Sequence, residues 1–399
     1  MIIPVLFCIL MISLTQEESQ NSSPASKRKI VGFKEGLTLS DSTSVIESHG
    51  LTIKKYLPLA NACLCESGQK KASFHALSQN QSVAFVEDDY KCTVQVLPSP
   101  QKPYEILSLQ HIPWGIQKIN APEVWKYTRG QGIKVGVIDT GIDSRHPDLK
   151  QNIRETHDVL NGKNIDDNGH GTHVAGTIAA ADNQIGVIGV APNVQLYSVK
   201  AFDKKGNGQV SDIIEALDWC VKKRVDVINM SFGLNEESQA FHRAIKQVYR
   251  RDIVMVAAAG NSGRSDSVMY PARYSEVIAV TALNKSNKVA EFSSSGPEVD
   301  VIAPGVEIES TFNSSNYKRL SGTSMAAPHV TGTVALILSI AKVSPESVKL
   351  IISSTAEDMG LPKEKQGDGL LDAKNAVVTL QRLKEGLTRE KNPDTSNEE

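Results

Sequence analysis

The groups best placed to do chemistry in this chain lie in three short segments: KVGVID, ending in Asp139; NGHGTHVAGT, with His170 and His173; and SGTSMAAPHV, with Ser324. A carboxylate, an imidazole and a hydroxyl are what nucleophilic acyl transfer needs, since the hydroxyl attacks, the imidazole takes its proton and the carboxylate orients the imidazole. Each segment alone has other readings. Asp139-Thr140-Gly141 matches the aspartic-protease triplet, but that chemistry needs two carboxylates sharing a proton, and the triplet occurs once. His170 and His173 stand three apart, on what should be a helix's opening turn, where two metal ligands could sit. The segment lacks the HExxH pattern, its general-base Glu and an obvious third ligand. Either histidine could instead be a satisfied buried side chain. Ser324 follows Gly322, which permits a tight strand-to-helix turn, and Met325-Ala326-Ala327 opens an apolar helix. The free N–H groups and positive dipole end of such a helix favour negative charge beside the serine. An isolated GTS would equally well be a helix cap.

The elements that must position these residues follow from the pattern around them. From IKVGVIDTG onward, apolar strands (VQLYSVKAF, VDVINMSFG, IVMVAAAGN, EVIAVTAL, VDVIAPG) alternate with helical stretches such as QVSDIIEALDWCVKK and SMAAPHVTGTVALILSIA. That is the signature of a mainly parallel sheet covered on both faces, an α/β fold of three layers. Residues 110–381 are assigned to it. Residues 29–92 form a separate small α+β pattern, with strand-like KIVGF and SVAFVEDDY around helix-like SVIESHGL. Between them the proline-containing stretch 93–109 reads as an exposed, easily cut linker. The charged segment 382–399 reads as a flexible tail.

The apolar run Ile2–Leu14 has the length of an export-signal core and is too short to span a bilayer, so residues 1–20 read as a signal and no membrane anchor is expected. A net charge of −2 over 399 residues gives no electrostatic reason to expect a nucleic-acid partner. Five cysteines, at positions 8, 63, 65, 92 and 220, do not form a disulfide framework. Cys63 and Cys65 fall on one face of a strand, and Cys220 on the apolar face of a helix, as a buried structural thiol.

In the order VIDTGID, HGTHVAGT, SGTSMAAPHV, the three segments resemble the signatures of the subtilisin family of serine proteases, over Gln110 to Val378. The resemblance implies a serine endopeptidase acting on proteins or peptides, with Ser324 as nucleophile, His170 as general base and Asp139 as its orienting carboxylate; the apolar run at the start adds secretion, and nothing in the sequence suggests an obligate oligomer, so a monomer is expected. It leaves His173 structural and makes Asn261, in AAAGN, a side-chain donor to the oxyanion. Substrate would pair with segments holding Gly206, Gly208, Ser231 and Gly233, and the specificity pocket would be bounded by Ser231, Gly233 and Gly260 with Met269 at its base. Met269 implies a shallow apolar pocket for medium-sized side chains. A Ca²⁺ site is implied at Gln110, Asp148, Ala181, Asn183, Ile185 and Val187, along with a cis Tyr270–Pro271 bond. Residues 29–92 would be an inhibitory propeptide that the enzyme removes from itself within the linker. A base that must be neutral implies activity falling below about pH 6–7. Two alternatives share these motifs: a non-catalytic regulatory protein on the same fold, and a processing protease with one dedicated substrate.

Overall fold

The computed structural model describes residues 28–67, 73–99, 101–104 and 109–391. The expected signal at 1–20 lies outside them. The small unit runs β1 (Arg28–Phe33), α1 (Leu39–Ser48), β2 (Leu51–Leu57), β3 (Ala62–Ser67), α2 (Phe74–Ser78), β4 (Val83–Asp88). Its strands make an antiparallel sheet in the order β2-β3-β1-β4. Helix α1 starts on a capping box, in which Asp41 N–H donates to Thr38 Oγ1 and Asp41 Oδ2 accepts from Thr38 N–H. The period of two sends alternate residues to opposite faces. Val31, Cys63 and Cys65 pack with Ile46 and Leu77 under the helices, whereas Ile30, Leu64 and Phe85 join the core of the large unit. The two thiols share a face as expected, and the four cysteines among the described residues are free.

The large unit begins with β5 (Lys91–Val94) and α3 (Trp114–Lys118), then β6 (Lys134–Asp139), β7 (Ile153–Asp158), α4 (His170–Ala179), β8 (Gln195–Lys200), β9 (Asn207–Gln209), α5 (Val210–Lys223), β10 (Val227–Met230) and β11 (Phe232–Gly233). It continues with α6 (Gln239–Tyr249), β12 (Val254–Ala258), β13 (Ile278–Leu283), β14 (Val301–Pro304), β15 (Ile308–Phe312), β16 (Asn316–Leu320), α7 (Thr323–Ile340), α8 (Pro345–Thr355), α9 (Lys363–Gln366) and α10 (Ala373–Lys391). Seven strands, β14-β13-β12-β10-β6-β8-β7, form one sheet with every neighbouring pair parallel. Within β6, Val135 and Val137 face the core of α4 and α7, while Ile138 faces that of α5 and α6. A Cβ on Gly136 would stand 3.0 Å from Cys220 Sγ, so this buried thiol packs directly on the sheet. Helix α7 is long and apolar enough to cross a membrane by composition, but it is buried in the core.

Two expectations are corrected. The stretch from residue 93 is not a free linker: β5 lies between β9 and β11, antiparallel to both, so its backbone groups are paired as a sheet would pair them. The segment from Arg382 does not fray at once either. Helix α10 continues through Lys391, consistent with the good helix formers Arg, Leu, Lys and Glu there.

The small unit docks on the N-termini of α5 and α6. Glu87 accepts from Ser238 Oγ (2.6 Å) and from the N–H groups of Gln239 (2.8 Å) and Ala240 (3.1 Å). Asp89 accepts from Ser211 N–H (2.9 Å) and Oγ (2.8 Å). Orphan amides and the dipole ends of two parallel helices are thereby satisfied by two carboxylates. Burial pushes both carboxyls above their ordinary range, opposed by these same hydrogen bonds. Lys55 adds ion pairs to Asp212 and Glu215. Glu87→Ala is expected to cost about 1–2 kcal/mol of stability. An unchanged urea midpoint would refute the capping account.

Candidate active site

Asp139 ends β6, and His170 opens α4 where the chain returns across the sheet's carboxyl edge. His170 Nδ1 lies 2.7 Å from Asp139 Oδ1, with both side chains 1% exposed. The same Oδ1 accepts Thr140 N–H at 2.7 Å. With Nδ1 donating to Asp139, Nε2 of the neutral ring carries the lone pair, and it is buried with no hydrogen-bond partner.

Ser324 stands in the first turn of α7, after the N-cap Gly322. Its Oγ donates to the Ser231 carbonyl oxygen (2.7 Å), and Ser231 Oγ donates back to Ser324 O (3.0 Å). Ser324 O is free to accept because Pro328, four residues on, has no N–H to offer it. Asn261 is fixed through Oδ1, which accepts Thr323 N–H (3.0 Å) and Oγ1 (2.9 Å), leaving its Nδ2 buried and unpartnered.

What fills the cleft is the chain itself. Gln95 N–H donates to Ser231 O (3.1 Å), Val94 N–H to Gly206 O (3.1 Å) and Leu97 N–H to Ser321 O (2.9 Å), while Gln95 O accepts Ser324 N–H (3.2 Å). A Cβ on Gly322 would stand 2.5 Å from Gln95 O and 3.2 Å from Asn261 Nδ2, so the carbonyl oxygen and the amide border one small space. Gly322, at φ +156°, leaves that space open. An extended peptide therefore crosses a serine at a helix N-terminus, and the helix carrying that serine, α7, packs against α4, which His170 opens.

Residues 130–373 match the family model described as the subtilase family. The chain belongs to the subtilases. Subtilisin E of Bacillus subtilis (strain 168) is 41% identical over 84% of this chain and 88% of its own. Subtilisin DY of Bacillus licheniformis is 46% identical over 67% of this chain and 99% of its own. An intracellular serine protease of Paenibacillus polymyxa is 42% identical over 70% and 92% respectively. The protein is thus a serine endopeptidase of subtilisin type, and the matched span contains Asp139, His170, Asn261 and Ser324.

The remaining expected positions fall as follows. Gly206 and Gly208 flank β5 on one side through β9, and Ser231 and Gly233 on the other. Cβ atoms built on Gly233 and Gly260 would both stand 2.9–3.0 Å from Met269 side-chain atoms, so Met269 fills the space between them. Tyr270–Pro271 is cis. In the subtilase's loop at 181–187, Gln110 Nε2 donates to Ala181 O (2.5 Å), Val187 O (2.9 Å) and Asn183 Oδ1 (3.4 Å). Asn183 Nδ2 donates to Asp148 Oδ1 (3.1 Å), and Ile185 N–H to Asn183 Oδ1 (3.1 Å). His173, expected to be structural, is fully buried, with Nε2 near Ile308 O (2.9 Å) and Lys318 O (3.1 Å).

Sequence reasoning missed Asp166. This buried carboxylate accepts from Thr140 Oγ1, Asn168 N–H and Gly169 N–H through Oδ1, and from Thr172 N–H and Oγ1 through Oδ2. Its place just before NGHGTH was the only available hint.

Burial lowers His173 to about 3 and His329 to about 4. Both stay neutral in the fold while the unfolded chain takes up protons below about pH 6.5, so stability is lost as pH falls from there. In the full-length Ser324→Ala chain, His329→Gln should flatten the slope of unfolding free energy between pH 6.5 and 5 by up to about 1.4 kcal/mol per pH unit. Equal slopes would count against the buried neutral imidazole.

Proposed function

We propose that this subtilase is a self-processing, exported endopeptidase whose acyl transfer is carried out by Ser324, His170 and Asp139. The observation that carries the reading is the Gln95 carbonyl held on Ser324 N–H while the strand around it is paired on both sides. Ser324 Oγ turns from Ser231 O and attacks the Gln95 carbonyl carbon, and its proton passes to His170 Nε2. The oxyanion takes Ser324 N–H and the unpartnered Asn261 Nδ2. Removing the corresponding amide in subtilisin is known to cost about 10²–10³ in turnover. His170 then gives its proton to the nitrogen of Val96, which leaves. Water, deprotonated by the same imidazole, hydrolyses the ester to free Gln95 carboxylate and Ser324 hydroxyl. Asp139 holds the imidazole tautomer throughout.

On this reading residues 29–95 are the propeptide, docked through Glu87 and Asp89 and inhibitory because its last strand occupies the cleft. Export rests on the apolar run Ile2–Leu14, although one relative is named intracellular. Wild type beside Ser324→Ala, analysed by intact mass and N-terminal sequencing, tests the scheme. Only wild type should acquire Val96 as a new N-terminus and hydrolyse casein. Cleavage of both variants at that bond would mean another protease does it.

The ring around Gln110 is the proposed Ca²⁺ site. Three oxygens, from Ala181, Val187 and Asn183, already converge on one positively polarised N–H₂ group, and turning the Gln110 amide would present a fourth. Such a donor set fits a hard cation, with Asp148 the charged neighbour. Among the described residues no three His, Cys, Asp or Glu side chains cluster, so an ion here rests on neutral oxygens with that single carboxylate. The ion would brace this loop, with no part in acyl transfer. Calcium at a hundredfold excess over its Kd should stabilise the Ser324→Ala protein by about 2.7 kcal/mol, a gain that Asn183→Ala abolishes. A thermal midpoint indifferent to Ca²⁺ and to chelator would remove the metal from the account.

A further inference from the structure

Strand β10 reads Val-Ile-Asn-Met, and its third residue is out of character for the middle of a parallel sheet. Strands covered on both faces run as near-continuous apolar stretches. Asn229 is 0% exposed and stands between Val137 of β6 and Val256 of β12 in the parallel register. Alternation puts it on the face of Val227, under α7, while Ile228 and Met230 face the core of α5 and α6. A buried amide is costly unless its donors and acceptors are met, so the groups that meet this one show what it holds.

Its two ends are bound to α7 and to Ser231. Asn229 Oδ1 accepts from Thr331 Oγ1 (2.9 Å), and Nδ2 donates to Ser231 Oγ (2.8 Å), whose own proton goes to Ser324 O (3.0 Å). Each donor in this series points the same way, from Thr331 through the amide and the Ser231 hydroxyl to the serine. With Thr331 donating, the amide has one orientation, and with Nδ2 donating, Ser231 Oγ is left to give its single proton to Ser324 O. Thr331, whose Oγ1 also lies 3.2 Å from Ala327 O, is about two turns beyond Ser324 on α7. The series therefore closes a loop across the turn that Pro328 leaves without its backbone hydrogen bond. Before the serine, the same turn is held by Asn261 through Thr323 N–H.

We infer that Asn229 is a positioning residue for the nucleophile: through Ser231 it replaces the helix hydrogen bond that Pro328 cannot make, and so fixes Ser324 in the direction of attack. The inference rests on the reading of Ser324 as nucleophile. Thr331 anchors the amide in turn. Both side chains are 0% exposed, and they act on the reacting groups only through Ser231. Small displacements from an attacking geometry are costly to rate, so loss of either link is felt in turnover before it is felt in binding.

The test separates hydrogen bonding from packing. At position 331, Val keeps the branched shape and loses the hydroxyl, whereas Ser keeps the hydroxyl and loses a methyl. In the processed enzyme Thr331→Val should lower kcat on a fluorogenic Thr-Val-Gln peptide about fivefold, with KM within about twofold of wild type. Inactivation by phenylmethanesulfonyl fluoride, which reads Ser324 without a peptide, should slow to the same extent. Thr331→Ser should stay within about twofold of wild type in both measurements, and Asn229→Ala, which removes the amide outright, should lose at least as much as Thr331→Val. A Thr331→Val enzyme impaired no more than Thr331→Ser would make this a packing site and overturn the inference, as would a loss confined to KM. Wild type left untouched by the sulfonyl fluoride would defeat the nucleophile reading itself, and the inference with it.

Discussion

A carboxylate taken wholly out of water must be solvated by fixed groups, and at Asp139 that requirement is met through Oδ1 alone, Oδ2 being buried without a partner. A buried charge left without partners is costly, so its donors have to be held in place before any chemistry starts. Asp139 Oδ1 is met by Thr140 N–H and His170 Nδ1. Thr140 is pinned in turn: its hydroxyl donates to Asp166 and accepts Gly171 N–H at 3.0 Å. Asp166 also gathers Gly169 and both donors of Thr172, so one carboxylate ties the start of α4 to the loop after β6. The approach is so close that a Cβ on Gly171 would lie 2.1 Å from Gly141 O. Glycine at that position is a packing requirement.

The same economy of fixed donors explains how an uncut chain stays in its own cleft. Helices α5 and α6 run parallel under the small unit, and their first turns need acceptors. Glu87 and Asp89, two residues apart at the end of β4, supply one each, which places the next residues between β9 and β11 without further adjustment. Beyond Gln95 the chain stays engaged. Leu97 pairs with Ser321, and Tyr104 exchanges two backbone hydrogen bonds with Tyr317. The loop of 181–187 is assembled around Gln110 with the chain uncut.

Much of this was legible in the sequence. Strand-ending Asp139, helix-opening His170 and Ser324 after Gly322 all follow from short-range pattern, because each sits where an apolar run changes period. The parallel sheet followed from continuous apolar strands, and the shared face of Cys63 and Cys65 from simple alternation. What escaped was long-range. Nothing local to Lys91–Val94 says that its partners lie more than a hundred residues away, and three nearby prolines argue for a linker. Glu87 and Asp89 read as ordinary surface charges until α5 and α6 are brought beneath them. Asp166 looked like one of several polar residues in a loop, since its five donors come from four residues whose spacing only the fold defines. The segment from Arg382 was misread because charge was taken as a sign of disorder, although Arg, Lys and Glu are good helix formers.

On the proposed mechanism, the serine's own hydrogen bonds indicate what remains to be done before acyl transfer. Ser231 holds Ser324 from both sides, by its carbonyl and its hydroxyl, and Pro328 makes the second contact possible by leaving Ser324 O unclaimed. The carbonyl of Gln95 is already on Ser324 N–H, and Asn261 Nδ2 already faces the same space with nothing else to bind. His170 Nε2 is equally unclaimed and wholly buried. In the proposed attack Ser324 Oγ gives up one neutral hydrogen bond, to Ser231 O, worth about 1 kcal/mol net. That is small beside the stabilisation two preorganised donors give a developing oxyanion. In the proposed mechanism Asn261 Nδ2 and His170 Nε2, both without partners here, are the groups that gain them as negative charge forms. In the proposed mechanism their hydrogen bonds are satisfied in the transition state and not before, which is how they would lower the barrier.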